Sequence, residues 1–201
     1  MEIHTDNRPI LRFSMFEAWW KNKQSAMKRY FPSEQIDISN DWMRFGSMVA
    51  QALEVRPIPE WVAHLAMPQY DIQEYRIIED IEGYLVRGTL DRYSTDLHKI
   101  LDDKCTATVW SANKAQKHIQ LDFYSVLVQE RHGWVDEESH IHCIPITKDE
   151  CDIIRFTGEP TVLLPHITTQ AIREELREKI INTAKEIITC WTAYQAGHIT
   201  L

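Results

Sequence analysis

Apolar positions recur at helical spacing in two opening stretches. Residues 14–30 predict a helix with Ser14 at the N-cap and Glu17 three places later, a capping-box spacing, closed by Pro32 and Ser33. Residues 41–54 predict a second helix, starting near Asp41 and stopping before Pro57 and Pro59, and residues 60–66 a short amphipathic turn. The pattern then becomes that of strands. Residues 75–78 and 84–90 are rich in β-branched and aromatic side chains, with Gly83 at the turn between them. Residues 93–96 turn the chain again, and residues 99–105 predict a third strand in which the Ile100-Leu101 pair precedes acidic residues. Residues 113–130 return to helical spacing through Ile119, Phe123, Val126 and Leu127, and Gly133 breaks the run. Segments 139–146, 151–156 and 161–164 predict further strands. A long helix over 168–195 follows, with Ile172, Leu176, Ile180, Ala184, Ile187, Trp191 and Tyr194 on one face and Gly197 as its stop. Helix, helix, three strands, helix, two or three strands, helix is the order of a mixed α/β domain: a central mixed sheet flanked by helices. No repeat, linker or low-complexity stretch divides it, so residues 1–201 are expected to form one domain.

Composition narrows the setting. With 201 residues and 44% apolar content the chain can bury a sizeable core. It has no apolar run long enough to span a bilayer, and the opening MEIHTDNRPI lacks the apolar segment of a secretion signal, so a cytoplasmic protein without membrane association is expected. The four cysteines, Cys105, Cys143, Cys151 and Cys190, form no C-x-x-C pair and are expected to be reduced and mostly buried. His140, His142 and Cys143 lie close together, but on a strand the histidines share one face and the cysteine takes the other, and no second ligand pair matches them. The net charge of -8 argues against a uniformly basic nucleic-acid surface, though not against a local one. Two basic concentrations exist. One joins Lys21, Lys23, Lys28 and Arg29 with Trp19, Trp20, Tyr30 and Phe31; the other is Lys114, Lys117 and His118.

The most informative series runs from Gly88 to Tyr124: Gly88-Thr89-Leu90-Asp91, then Ile100-Leu101-Asp102-Asp103-Lys104, then Gln120 and Tyr124. Antiparallel pairing of the two strands brings Asp91 and Asp102 toward the same end of the sheet. Alternation puts Asp102 and Lys104 on one face and turns Asp103 away, while the Asp103 carbonyl can still point at the same cation. Two carboxylates from adjacent strands suit Mg²⁺, which prefers oxygen ligands and retains water. A lysine alongside can orient a metal-bound water or compensate its charge, as hydrolysis of a phosphodiester requires. Gln120 and Tyr124 stack on one helical face, with Gln116 before them.

These motifs resemble the PD-(D/E)XK nuclease superfamily in its RecB-type and lambda-exonuclease-like branch. That branch is marked by an opening helix containing serine, a glycine-led helix, G-x-x-D, (D/E)-x-K and Q-x-x-x-Y. Here these correspond to Ser14 to Tyr30, Gly46 to Glu54, Gly88 to Asp91, Asp102 to Lys104 and Gln120 to Tyr124, in that order over most of the chain. The resemblance implies a restriction-endonuclease-like core and a DNA nuclease dependent on Mg²⁺, with Mn²⁺ as a substitute. Asp91 and Asp102 would hold the metal, Lys104 would be the catalytic lysine, and Gln120 and Tyr124 would contact the DNA strand or position the lysine. Gln116, Lys114, Lys117, Lys21, Lys23 and Lys28 complete the expected DNA-binding set. Helicase-linked, recombination and CRISPR-adaptation exonucleases are among the relatives, so a helicase, an annealing protein or a CRISPR-adaptation protein is a possible partner, and recombination or repair the expected setting. Two departures stand out. The histidine usually found four residues after the helix-leading glycine is replaced by Ala50, which makes Glu54 the expected third ligand and Gln51 a weaker one. The opening helix has no cysteine, so no iron–sulfur cluster is expected.

Besides an active exonuclease, the residues are compatible with a catalytically degenerate member kept as a DNA-binding or assembly module, for which Ala50 and the acidic charge speak. A small-molecule hydrolase using the same carboxylates ranks behind both, because a basic and aromatic opening helix suits a nucleic-acid backbone better.

Overall fold

The computed structural model describes residues 1–32 and 40–200. Ser33, expected to help close the first helix, lies outside the described residues. A short hairpin, β1 (Glu2–Ile3) and β2 (Pro9–Arg12), precedes the first helix and was not expected from the sequence. The single helix expected over 14–30 is two: α1 (Phe13–Lys21) and α2 (Lys23–Tyr30). Between them Asn22 is extended (φ -162°, ψ 109°), and its side chain accepts the Ser25 N–H at 2.9 Å, capping a new helix rather than continuing the old one. Ser14 therefore lies inside α1; the N-cap is Arg12, which makes no side-chain cap bond.

Helix α3 (Asp41–Glu54) starts where expected, capped by the Asn40 side chain on the Met43 N–H at 3.0 Å. Gly46 falls within it rather than leading it. After α4 (Glu60–Ala63) come β3 (Ile72–Ile81), β4 (Tyr84–Ser94) and β5 (Lys99–Thr106), with Gly83 at φ +89° in the turn between β3 and β4. The helix expected over 113–130 is also two, α5 (Ala112–Gln116) and α6 (Ile119–His132), with the break at Lys117 and His118. Gly133, at φ +80°, ends α6. Strands β6 (Glu138–Lys148), β7 (Ile154–Phe156) and β8 (Val162–Ile167) lead into α7 (Gln170–Gln195), capped by Thr169.

Among the described residues the sheet has eight strands and is mixed. β4 pairs antiparallel with β3 and β5 and parallel with β2; β5 pairs parallel with β6; β6 pairs antiparallel with β7 and β8. Two apolar clusters join it to the flanking helices. The larger takes Phe16 and Trp19 from α1, Leu121 and Phe123 from α6, and Ile180, Ala184 and Ile187 from α7. The smaller takes Val49 and Leu53 from α3, with Val62, against Ile144 and Ile146 of β6. Ile172, expected on the buried face of α7, is exposed.

The aromatic residues of the opening helices serve this core. Trp19, Tyr30 and Phe31 are buried; the Trp20 indole donates to Thr183 of α7 at 2.9 Å. Lys21 faces Glu17 and Lys23 faces Glu186, each at 2.6 Å. Four free thiols are present, but only Cys143 is buried and Cys151 is exposed, which corrects the expectation of mostly buried cysteines. Among the described residues, no helix is long and apolar enough to cross a membrane.

Candidate active site

Strands β4 and β5 pair through Arg92 with Leu101, Tyr93 with Ile100 and Ser94 with Lys99. The next position in that register sets Asp91 opposite Asp102, and there the ladder stops. The Asp91 Oδ2 accepts the Asp103 N–H at 2.8 Å, so a side chain satisfies a donor that a strand carbonyl would otherwise take. Beyond this point β5 runs beside β6, from Leu101 opposite His140 to Thr106 opposite Pro145. The two acidic residues thus stand where the strands diverge.

Asp102 is sealed, its side chain 1% exposed, and neither oxygen has a well-aligned hydrogen bond. Its charge is met by the Lys104 Nζ at 2.6 Å and the His118 Nε2 at 3.4 Å. Burial opposes its ionisation, but Lys104 and His118 outweigh burial and hold Asp102 below the usual carboxylate range. Asp91 goes the other way. Burial, then the negative charge of Asp102, pushes it well above that range, against the pull of Lys104. Lys104 loses hydration, yet Asp102 and Asp91 keep it firmly protonated. Two carboxylates that oppose one another's charge beside one ammonium form a donor set that suits a hard divalent cation. Among the described residues no three His, Cys, Asp or Glu side chains gather closely enough to hold a metal alone.

Asp91 and Lys104 open onto a cleft of about 590 Å³ whose opposite wall is α3, through Gly46, Ala50, Gln51 and Glu54. Glu54 lies on this cleft as expected, exposed at the end of its helix. Glu74 of β3 lines it as well and went unread in the sequence. It stands opposite Asp91 in the β3–β4 register at a point where the ladder is interrupted, with φ +49°. Burial, then Glu54, raises its pKa.

Asp103 does turn away from Asp102. Its carboxylate is held by Arg92 (Nε to Oδ2 2.7 Å, Nη2 to Oδ1 3.1 Å) and by the His142 Nδ1 at 2.6 Å. Arg92 is fully buried and also donates to the Leu65 carbonyl at 2.7 Å. The carboxylate is thus committed to this network.

Gln120 takes the lysine-positioning place. Its Oε1 accepts from the Lys104 Nζ at 3.3 Å, and its Nε2 donates to the Tyr124 hydroxyl at 2.7 Å. Tyr124 is buried, 5% exposed, with its hydroxyl on Gln120, which is the placement of the lysine-positioning alternative rather than the strand-contacting one. Gln116 sits on α5, not on the α6 face, and its amide exchanges hydrogen bonds with the Ile167 backbone at 2.9 and 3.0 Å, so it too is occupied.

No family model matches the chain, and no curated protein does. Among solved structures, it resembles a phage-related exonuclease from Haemophilus somnus 129PT, at 12% identity over 83% of this chain and 79% of that one, with a TM-score of 0.51. The two share a fold. Another match, a protein designated SSO0001, is 14% identical over 89% of this chain and 78% of that one, with a TM-score of 0.43.

Lys114 and Lys117 are exposed, and among the described residues no carboxylate pairs with either. Lys28 is exposed on α2. Trp110, which the sequence did not single out, meets His118 edge-on at 5.1 Å, and Cys105 lines the cleft with its thiol pushed up by burial to about 12. Glu74 and Trp110 lie outside every motif, so no spacing could have drawn attention to them.

Proposed function

We propose that the protein is a metal-dependent DNA nuclease that hydrolyses phosphodiesters. The observation that carries this reading is the meeting of Asp91, Asp102 and Lys104 at the divergence of β4 and β5, beside an open cleft. Asp91 and Asp102, with the Asp103 carbonyl and with Glu54 across the cleft, are the groups to hold Mg²⁺ or Mn²⁺. A bound ion there supplies Lewis acidity and lowers the pKa of its water toward neutrality. Lys104 contributes a fixed positive charge for the pentavalent phosphate, and Gln120, supported by Tyr124, fixes where that charge sits. Lys114 and Lys117 offer cations to the strand's phosphates. An exonuclease of recombination or repair, working in the cytoplasm with a helicase, an annealing protein or a CRISPR-adaptation protein, is the setting we propose.

End-labelled single-stranded and duplex DNA incubated with Mg²⁺, Mn²⁺ or EDTA tests this. Cleavage in either metal, none in EDTA, and a loss of at least about 100-fold in Lys104→Ala are expected, the scale for one transition-state charge contact. Absence of metal-dependent cleavage on every substrate contradicts the reading. A second reading, a nuclease fold kept for DNA binding or assembly, draws on Ala50 in the cleft wall and on Asp102, which is sealed and paired with Lys104. It predicts DNA binding without Mg²⁺ binding.

A further inference from the structure

A second pocket, of about 420 Å³, is lined by Trp110, Ser111, Asn113, Lys114, Lys117 and His118. His118 connects it to the candidate site through the 3.4 Å approach of its Nε2 to Asp102. In a chain of net charge -8, Lys114 and Lys117, exposed and without carboxylate partners among the described residues, here meet an aromatic ring. The opening helices differ in their cations, since Lys21 and Lys23 there face carboxylates, while Trp110, like Trp20, packs one side against the core. In the pocket, the Lys114 Nζ lies 4.0 Å from the centre of the Trp110 ring. A phosphate that draws this ammonium toward itself would uncover the π-face beneath it. A base within a duplex has both faces stacked on its neighbours; an unpaired base does not, and aromatic rings interleaved with cations are how unpaired strands are bound.

We propose that this pocket seats an unpaired nucleotide of the strand being cut, its base against Trp110 and its phosphate between Lys114 and Lys117. The preferred substrate is then a single strand or a frayed end. The inference rests on the phosphodiesterase reading of the neighbouring carboxylates and adds the substrate class.

The test is fluorescence anisotropy of the full chain with a labelled oligothymidylate and with a blunt hairpin duplex, both in EDTA so that nothing is cut. The single strand should bind more tightly than the blunt duplex. Trp110→Ala and Trp110→Leu should each weaken single-strand binding by about 5- to 100-fold, the range for one base–aromatic stack, while Trp110→Phe retains most of it. Lys117→Ala should weaken binding and make the salt dependence shallower by about 0.7 in log–log slope. Lys23→Ala, with its cation already facing Glu186, should lose less than Lys117→Ala. Thermal unfolding of each variant checks that it is folded, and Trp110→Leu keeps apolar packing should Trp110→Ala not fold. Tighter duplex binding, no binding of the single strand, or folded Trp110→Leu protein within about twofold of the parent each overturns the proposal. The two claims separate cleanly. DNA bound through Trp110 but never cut removes the nuclease reading alone, whereas DNA cut at an unchanged rate by Trp110→Leu protein removes the subsite alone.

Discussion

Gly88 shows how a single residue serves the site without making a turn. A β-carbon added there would lie 2.9 Å from the Leu127 Cδ1 and 3.0 Å from the Tyr124 ring. Leu127 could yield at its tip, but Tyr124 is tied through Gln120 to Lys104. Gly88→Ala is therefore expected to cost about 1–3 kcal/mol of stability by overpacking, seen in urea denaturation, and to reduce cleavage by moving the support of the lysine. Asp91 and Asp102 make a paired prediction for the metal-free protein. The raised pKa of Asp91 gives stability that is present below the ordinary carboxylate pKa and is lost as pH rises through the folded value. Asp91→Asn should thus gain stability relative to the parent as pH rises. The depressed pKa of Asp102 has the opposite sign: its contribution is present above the ordinary value and lost as pH falls through the lower, folded one. Asp102→Asn should destabilise at neutral pH, where it leaves Lys104 short of its closest partner. Denaturation curves in EDTA across pH distinguish the two. The Asp102–Lys104 side of this arrangement could be read from strand alternation alone. The Arg92–Asp103–His142 network could not, because it depends on where β6 lies beside β5.

At the scale of elements, β8 is tied to the α5–α6 junction by His166. The buried ring meets the Ala115 carbonyl through Nδ1 at 2.9 Å and Asp122 through Nε2 at 2.7 Å. Burial works against the charged ring, but the Asp122 contact and the Ala115 carbonyl outweigh burial and raise its pKa. The stability it supplies is fully present below the ordinary histidine pKa and is lost as pH rises through the raised value. His166→Gln should remove that pH dependence and cost about 1.5–3 kcal/mol at pH 6, as expected for charge-assisted hydrogen bonds, measured by denaturation at pH 6 and pH 9. The same junction explains what hydrophobic spacing missed. Apolar positions at helical spacing lie on both sides of Asn22 and of Lys117 and His118, and the breaks come from polar groups. Asn22 caps a new helix with its own side chain, and His118 turns its ring toward Trp110 and Asp102. The strand bearing Lys104 came out close to its expected bounds, whereas β4 runs on to Ser94, past the expected end at residue 90, so that Asp91 lies inside it.

For the whole molecule, the site is assembled from segments far apart in the chain: Glu54 and Ala50 from α3, Glu74 from β3, the carboxylates and lysine from β4 and β5, and the lysine's support from α6. Motif order identified the middle of this set. The walls depend on how α3 lies against the sheet, which no local pattern encodes. Overall charge also gave an incomplete guide, since the acidic excess coexists with a basic pocket whose Lys114 and Lys117 have no carboxylate partner among the described residues. Everything proposed for this assembly depends on Asp91 and Asp102 acting together as a divalent-cation site. Isothermal titration of Mg²⁺ into the full chain, with no DNA present, addresses that most directly. Saturable binding that is lost in both Asp91→Asn and Asp102→Asn is the predicted result; no binding, or binding that survives both substitutions, would contradict it.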